Sequence, residues 1–69
     1  MGYRIADLEE ETGMSLEDAV SDYVDSCLRT GLTDKQDIAD SFCDECEIVD
    51  RDRGDVLIAV EKELGKYDN

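Results

Sequence analysis

The residues of this chain with reactive or metal-binding side chains are three cysteines and a dense set of carboxylates. Cys43 and Cys46 form a C-x-x-C pair, a spacing used for zinc ligation and for dithiol exchange. Zinc takes four ligands, and Cys27 is the only further soft donor in a sequence that lacks histidine. Acidic neighbours oppose thiolate formation at the pair, which argues against redox exchange. We therefore expect reduced, metal-free cysteines, with Cys43 and Cys46 on an apolar helix face.

The carboxylates form no pattern that is typical of catalysis or of calcium binding. Without histidine the chain lacks the commonest general base and the commonest metal ligand. Segment 50–55 approaches the pattern of an EF-hand loop, but Gly54 is its fifth residue instead of its sixth, and two arginines interrupt the acids. The glycine patterns of nucleotide-binding loops are also missing. The sequence predicts a protein that is not an enzyme and has no cofactor and no metal.

The charge of the chain defines the kind of partner it can bind. Twenty acidic residues stand against seven basic ones, which gives a formal net charge of -13. Proteins that bind DNA or RNA bring Lys and Arg to the phosphates, so direct binding of nucleic acid is not expected here. The expected partner is a basic protein surface. No apolar run is long enough to span a membrane, and the odd number of cysteines favours a reducing compartment, so we expect no membrane contact and a cytoplasmic location.

The acids are distributed among apolar residues, which make up 41% of the chain. This mixture is typical of a folded domain, and the length predicts a single acidic helical domain over residues 1–69. Segments 12–15 and 30–33 share the order threonine, glycine, apolar residue, hydroxyl residue. In each, the glycine is suited to end one helix, and the hydroxyl of Ser15 or Thr33 is suited to cap the next.

Apolar residues recur at intervals of three and four, the spacing of an amphipathic helix. We predict an all-α fold, a compact bundle of about four short helices with helix-turn-helix-like joints. The predicted helices lie near residues 4–12, 15–30, 34–47 and 53–66. The alternative is an α+β fold with a β-hairpin around 48–60, because two apolar runs flank Gly54 there.

The acids of the second and third predicted helices lie opposite the apolar residues. On the third helix, six acids fall within thirteen residue steps, which is about 20 Å at 1.5 Å per residue. The spacing of roughly 3 to 4 Å per charge is close to the roughly 3.4 Å per phosphate along one strand of duplex DNA. We expect these faces to bind the partner through the following acids: Asp18, Asp22, Asp25, Asp37, Asp40, Asp44 and Glu45.

Segment 7–15, with the sequence Asp-Leu-Glu-Glu-Glu-Thr-Gly-Met-Ser, is similar to the first helix and turn of a helix-turn-helix. The helix after it carries acids where a recognition helix has polar and basic residues. Such a frame with an acidic surface, on a chain this short, resembles small acidic phage-encoded inhibitors, notably the anti-CRISPR proteins and other DNA mimics. The resemblance covers size, charge and helical composition over the whole chain, includes no diagnostic motif, and assigns no role to any residue.

The resemblance implies a non-enzymatic inhibitor that binds the basic nucleic-acid groove of a host defence complex, in the host cytoplasm if the chain is encoded by a phage. Two other interpretations stay open from the residues. One is an acidic adaptor or antitoxin-like module that binds a basic protein surface without displacing nucleic acid. The other is a helical domain adapted to high salt with an unrelated role. The identity of the partner and the oligomeric state are left open.

Overall fold

The computed structural model describes residues 2–67, which form four α-helices and one isolated β-bridge. The helices are α1 (Ile5–Thr12), α2 (Leu16–Arg29), α3 (Lys35–Cys46) and α4 (Asp50–Tyr67). The predicted all-α bundle of four helices is confirmed. The alternative hairpin around 48–60 is wrong, because α4 covers that segment from residue 50 onward. Residue 1 and residues 68–69 of the predicted domain lie outside the described part.

The core lies where α2 and α3 both pack against α4, and these two helices contact each other less extensively. The apolar faces predicted for α2 and α3 point into this core. Phe42 is 3% exposed and meets Tyr23 edge to face, with 5.4 Å between the ring centroids, so this pair joins α3 directly to α2. The largest side chains with almost no exposure are Ile38, Val20, Val24, Val56, Val60 and Cys43.

The two glycine joints differ in how the next helix begins. Gly13 and Gly31 both have a positive φ, as expected for glycines that end α1 and α2. After Gly13, the Ser15 side chain accepts a hydrogen bond from the Asp18 amide and caps α2 as predicted. After Gly31, the prediction that Thr33 caps α3 is wrong. Asp34 is the cap, because its carboxylate accepts bonds from two amides of the first turn and a carboxylate also favours the positive end of the helix dipole.

The connection from α3 to α4 is short and needs an unusual backbone conformation. Glu47 adopts the left-handed region with φ 53, which lets the Ile48 amide donate to the Cys43 carbonyl and close the end of α3. Only two residues then separate Glu47 from α4, which begins three residues earlier than predicted. Gly54 lies inside α4, as the predicted helix over 53–66 requires, and does not separate two strands.

Replacing Glu47 with glycine is expected to raise the free energy of unfolding by about 0.5–1 kcal/mol relative to Glu47→Ala. Both variants remove the same carboxylate, but only glycine removes the β-carbon that makes the left-handed conformation costly. Urea denaturation of the two variants measures the difference. Equal midpoints would mean that the strain at this residue is relieved in another way.

The residues before α1 are attached to the start of α4 by backbone and side-chain bonds. Tyr3 forms a parallel bridge with Ile48, and the Val49 amide donates to the Tyr3 carbonyl over 2.9 Å. The Arg4 side chain then forms a two-point ion pair with Asp52, with N–O distances of 2.9 and 3.3 Å. We call the pair of Arg4 and Asp52 the N-terminal latch.

No helix within residues 2–67 combines the length and the apolar character that crossing a bilayer would require.

Candidate partner-binding surface

The outer face of α2 presents acids at intervals of one helical turn. Asp18 and Asp22 are exposed and take part in no ion pair among the described residues. Asp25 is half-buried and pairs with Arg29 one turn later, over 3.1 Å. Asp18 and Asp22 therefore present negative charge to solvent, whereas the charge of Asp25 is partly neutralised by Arg29.

The outer face of α3 is divided in the same way. Asp37 is exposed and forms no ion pair among residues 2–67. Asp40 and Asp44 both face Arg53 of α4, whose guanidinium is 2.9 Å from Asp44 and 3.8 Å from Asp40. The same guanidinium lies 3.5 Å from Asp50. Arg53 thus gathers three acids from two helices and lowers the net negative charge at this end of the α3 face.

Glu45 lies apart from the other predicted acids, at the contact between α2 and α3. Burial raises the pKa of Tyr23 to about 12, and the neighbouring Glu45 carboxylate adds to the shift. The structure therefore brings Asp40 and Asp44 together around Arg53, and it brings Glu45 close to the apolar side of α2. Asp18, Asp22 and Asp37 occupy the outer faces of their helices.

The three cysteines belong to the apolar side of the bundle and are free thiols. Cys27 and Cys43 are buried and Cys46 is half-buried, so the prediction of an apolar helix face for the C-x-x-C pair is confirmed. Burial is the main cause that raises the pKa of all three thiols, and Glu45 adds to it for Cys27 and Cys46. The acidic surroundings inferred from the sequence are thus the smaller part of the effect. A high thiol pKa disfavours both metal ligation and exchange.

Two open clefts lie at the edges of the bundle. The first has a volume of about 390 Å³ and lies between the start of α3 and the last turns of α4, where Lys35 and Glu61 form an ion pair over 3.0 Å. The second has a volume of about 360 Å³ and lies where α1 and α3 end. We call the second one the acidic cleft; its lining residues are Tyr3, Leu8, Glu11, Thr12, Glu45, Cys46 and Glu47.

The sequence analysis missed the residues that neutralise or bury acids. Asp52 is 5% exposed and is held by Arg4, and Glu63 is also 5% exposed and bonds to Lys66 over 3.1 Å. Both acids fall on the apolar side of α4, in register with Val56. An acid at a core-facing position is a signal that a basic side chain pairs with it, although it does not identify that side chain.

Within residues 2–67, no group of three or more cysteine, aspartate or glutamate side chains is arranged to hold a metal ion. Comparisons of the chain with protein-family models, with curated proteins and with solved structures find no match.

Proposed function

We propose that this protein is a non-enzymatic inhibitor that occupies a basic nucleic-acid groove of a protein effector, in competition with DNA or RNA. The effector class that the sequence resemblance suggests is a host defence complex. The observation that carries the proposal is a set of exposed acids on the outer faces of two adjoining helices that form no ion pair within the described residues: Asp18 and Asp22 on α2 and Asp37 on α3.

The arrangement of charges supports a basic partner. Among residues 2–67, five of the seven basic side chains lie in ion pairs, and Arg51 and Lys62 form none within this range. Little positive charge is therefore free to repel a basic groove. The excess acids sit on helices that are fixed by the core, so their spacing is maintained before binding, as it is in a duplex.

Charge of this kind acts mainly on the encounter with the partner. Complementary potentials raise the association rate and make it sensitive to salt, whereas buried apolar and aromatic contacts hold a complex together. Loss of exposed acids should therefore slow association more than it speeds dissociation.

The first experiment is to find the partner and to ask whether it releases nucleic acid. A pull-down from a bacterial lysate, with and without nuclease treatment, supplies candidate partners. Labelled DNA or RNA bound to such a partner is then titrated with this protein, and fluorescence anisotropy should fall as the nucleic acid is displaced. If the partner binds its nucleic acid with unchanged affinity when saturated with this protein, the adaptor interpretation replaces inhibition.

The second experiment asks whether the proposed surface is responsible. The double variant Asp22→Asn, Asp37→Asn should lower the association rate about three- to tenfold at low ionic strength and weaken displacement. We choose these acids because Asp40 and Asp44 bind Arg53, and their loss would free a cation as well as remove charge. The matched control is Glu10→Gln, Asp55→Asn, which changes the net charge equally on α1 and α4.

The control variant separates a specific surface from general acidity. Association that slows equally in both double variants would contradict the proposed surface and would leave only the overall charge as the cause. Thermal melts of both variants establish that the helices are intact.

A further inference from the structure

We propose that the acidic cleft receives an arginine side chain of the basic partner. The inference rests on the proposed function in taking the partner to be a basic protein. It adds a specific binding site for one of that protein's side chains, away from the outer faces of α2 and α3.

The shape and lining of the cleft fit a long side chain with a charged end. Tyr3, Leu8 and Cys46 provide an apolar lining, and Leu8 and Cys46 are half-buried there. Three glutamates at the rim are exposed and form no ion pair among residues 2–67: Glu11, Glu45 and Glu47. An aliphatic stem can cover the apolar lining while a cationic head reaches the rim, which is how arginine and lysine usually lie on protein surfaces.

The backbone adds negative potential at the same place. Residues at the C-terminal ends of α1 and α3 line the cleft, and the C-terminal end of a helix dipole is negative. Neither helix has a basic residue in its last turn. By contrast, α2 ends with Arg29 and α4 with Lys66. The cleft therefore lies at two helix ends whose own last turns carry no basic residue.

Arginine fits these features better than lysine does. Tyr3 is 46% exposed and lines the cleft, so its ring is accessible to a bound side chain. A guanidinium is planar, stacks on aromatic rings and can bond two carboxylates at once, whereas an ammonium is a compact, strongly hydrated charge. The lining supplies both the ring and the carboxylates.

The test uses two blocked pentapeptides in low-salt buffer, Ala-Ala-Arg-Ala-Ala and the same peptide with lysine in place of arginine. Each is titrated into isotope-labelled protein and followed by amide chemical shifts. The arginine peptide should shift the amides of Leu8, Thr12 and Cys46 most. It should bind at least about threefold more tightly than the lysine peptide.

Variants of the cleft glutamates and of Tyr3 test whether the arginine peptide binds in the acidic cleft. Glu11→Gln, Glu45→Gln should weaken the arginine peptide about fivefold or more, whereas the control Glu10→Gln, Asp55→Asn should change its affinity less than twofold. Tyr3→Leu keeps an apolar residue and should reduce the preference for arginine over lysine. Unchanged thermal melts show that the variants are folded.

Three results would overturn the proposal. In the first, the arginine peptide shifts the amides on the outer faces of α2 and α3 most. In the second, the two double variants lose equal affinity for the arginine peptide. In the third, the protein binds the arginine and lysine peptides equally well. The assay contains no nucleic acid, so its outcome is independent of competition. If nucleic acid is not displaced but the arginine peptide binds at the cleft, the proposed inhibition fails while the cleft assignment holds.

Discussion

Replacing Phe42 with alanine is expected to lower the free energy of unfolding by about 3–5 kcal/mol. The ring is 3% exposed and forms the edge-to-face contact with Tyr23 that connects α3 to α2. A domain of this size has a total stability of only about 3–10 kcal/mol, by the usual 0.05–0.15 kcal/mol per residue. The variant should therefore be largely or wholly unfolded at moderate temperature, with little helical signal in far-UV circular dichroism.

The control for this prediction is Tyr67→Ala, which also removes an aromatic ring from the bundle. Tyr67 is 53% exposed although its spacing on α4 follows the apolar residues, so its loss should change stability by no more than about 0.5 kcal/mol. If the two variants had similar urea midpoints, the contact between Phe42 and Tyr23 would not be holding α2 and α3 together.

The second large effect is expected from Asp52→Asn, which breaks the N-terminal latch. The Asp52 carboxylate accepts two bonds from Arg4 and one from the Ile5 amide over 3.1 Å, and its side chain is 7% exposed. Asparagine is similar in shape but removes the charge, so the ion pair with Arg4, whose own side chain is 55% exposed, is lost. Thermal melts should show a clearly lower midpoint for Asp52→Asn than for Asp50→Asn, which removes an exposed acid from the same end of α4.

The ion pair of Arg4 and Asp52 also predicts how the stability difference between the original chain and Asp52→Asn depends on pH. The hydrogen bond from Arg4, followed by that from the Ile5 amide, holds the pKa of Asp52 below its ordinary value of 3.8. Because the folded-state pKa is the lower one, the contribution of Asp52 is complete above the unfolded pKa and is lost as pH falls through the folded pKa. The gap in unfolding free energy between the original chain and Asp52→Asn should be constant from pH 7 to about pH 5 and should close below about pH 4. A gap that widened with acid would contradict the latch as the cause.

The helices and most of the core could be predicted because they depend on local signals. The apolar spacing around Val20 and Val24, the glycines at 13 and 31 and the cap at Ser15 all act within a few residues of the chain. These features indicate where each helix begins and ends and which of its faces is apolar, without knowledge of any tertiary contact. The predicted start of α4 lies three residues too late, because Gly54 and the charged residues from 50 to 55 interrupt the apolar spacing at that end of the helix.

What the sequence could not supply depends on residues that are far apart along the chain. The bond between Arg4 and Asp52 joins positions 48 residues apart and attaches the residues before α1 to the first turn of α4. Arg53 collects acids from α3 in the same way. In a chain with twenty acids, no rule of spacing identifies which of them will meet the few bases. The left-handed conformation of Glu47 is also imposed by the fold, since nothing in its side chain favours it.

The separation between the two halves of the N-terminal latch also affects the order of folding. Closing a loop of this length costs more chain entropy than the local contacts within α2, α3 and α4, so we expect the latch to form after the transition state for folding. An interaction formed that late leaves the folding rate nearly unchanged and slows unfolding. Residues 2–4, ahead of α1, are therefore expected to act on the lifetime of the native state. During synthesis residues 2–4 emerge before α4 and can dock only after the start of α4 has left the ribosome.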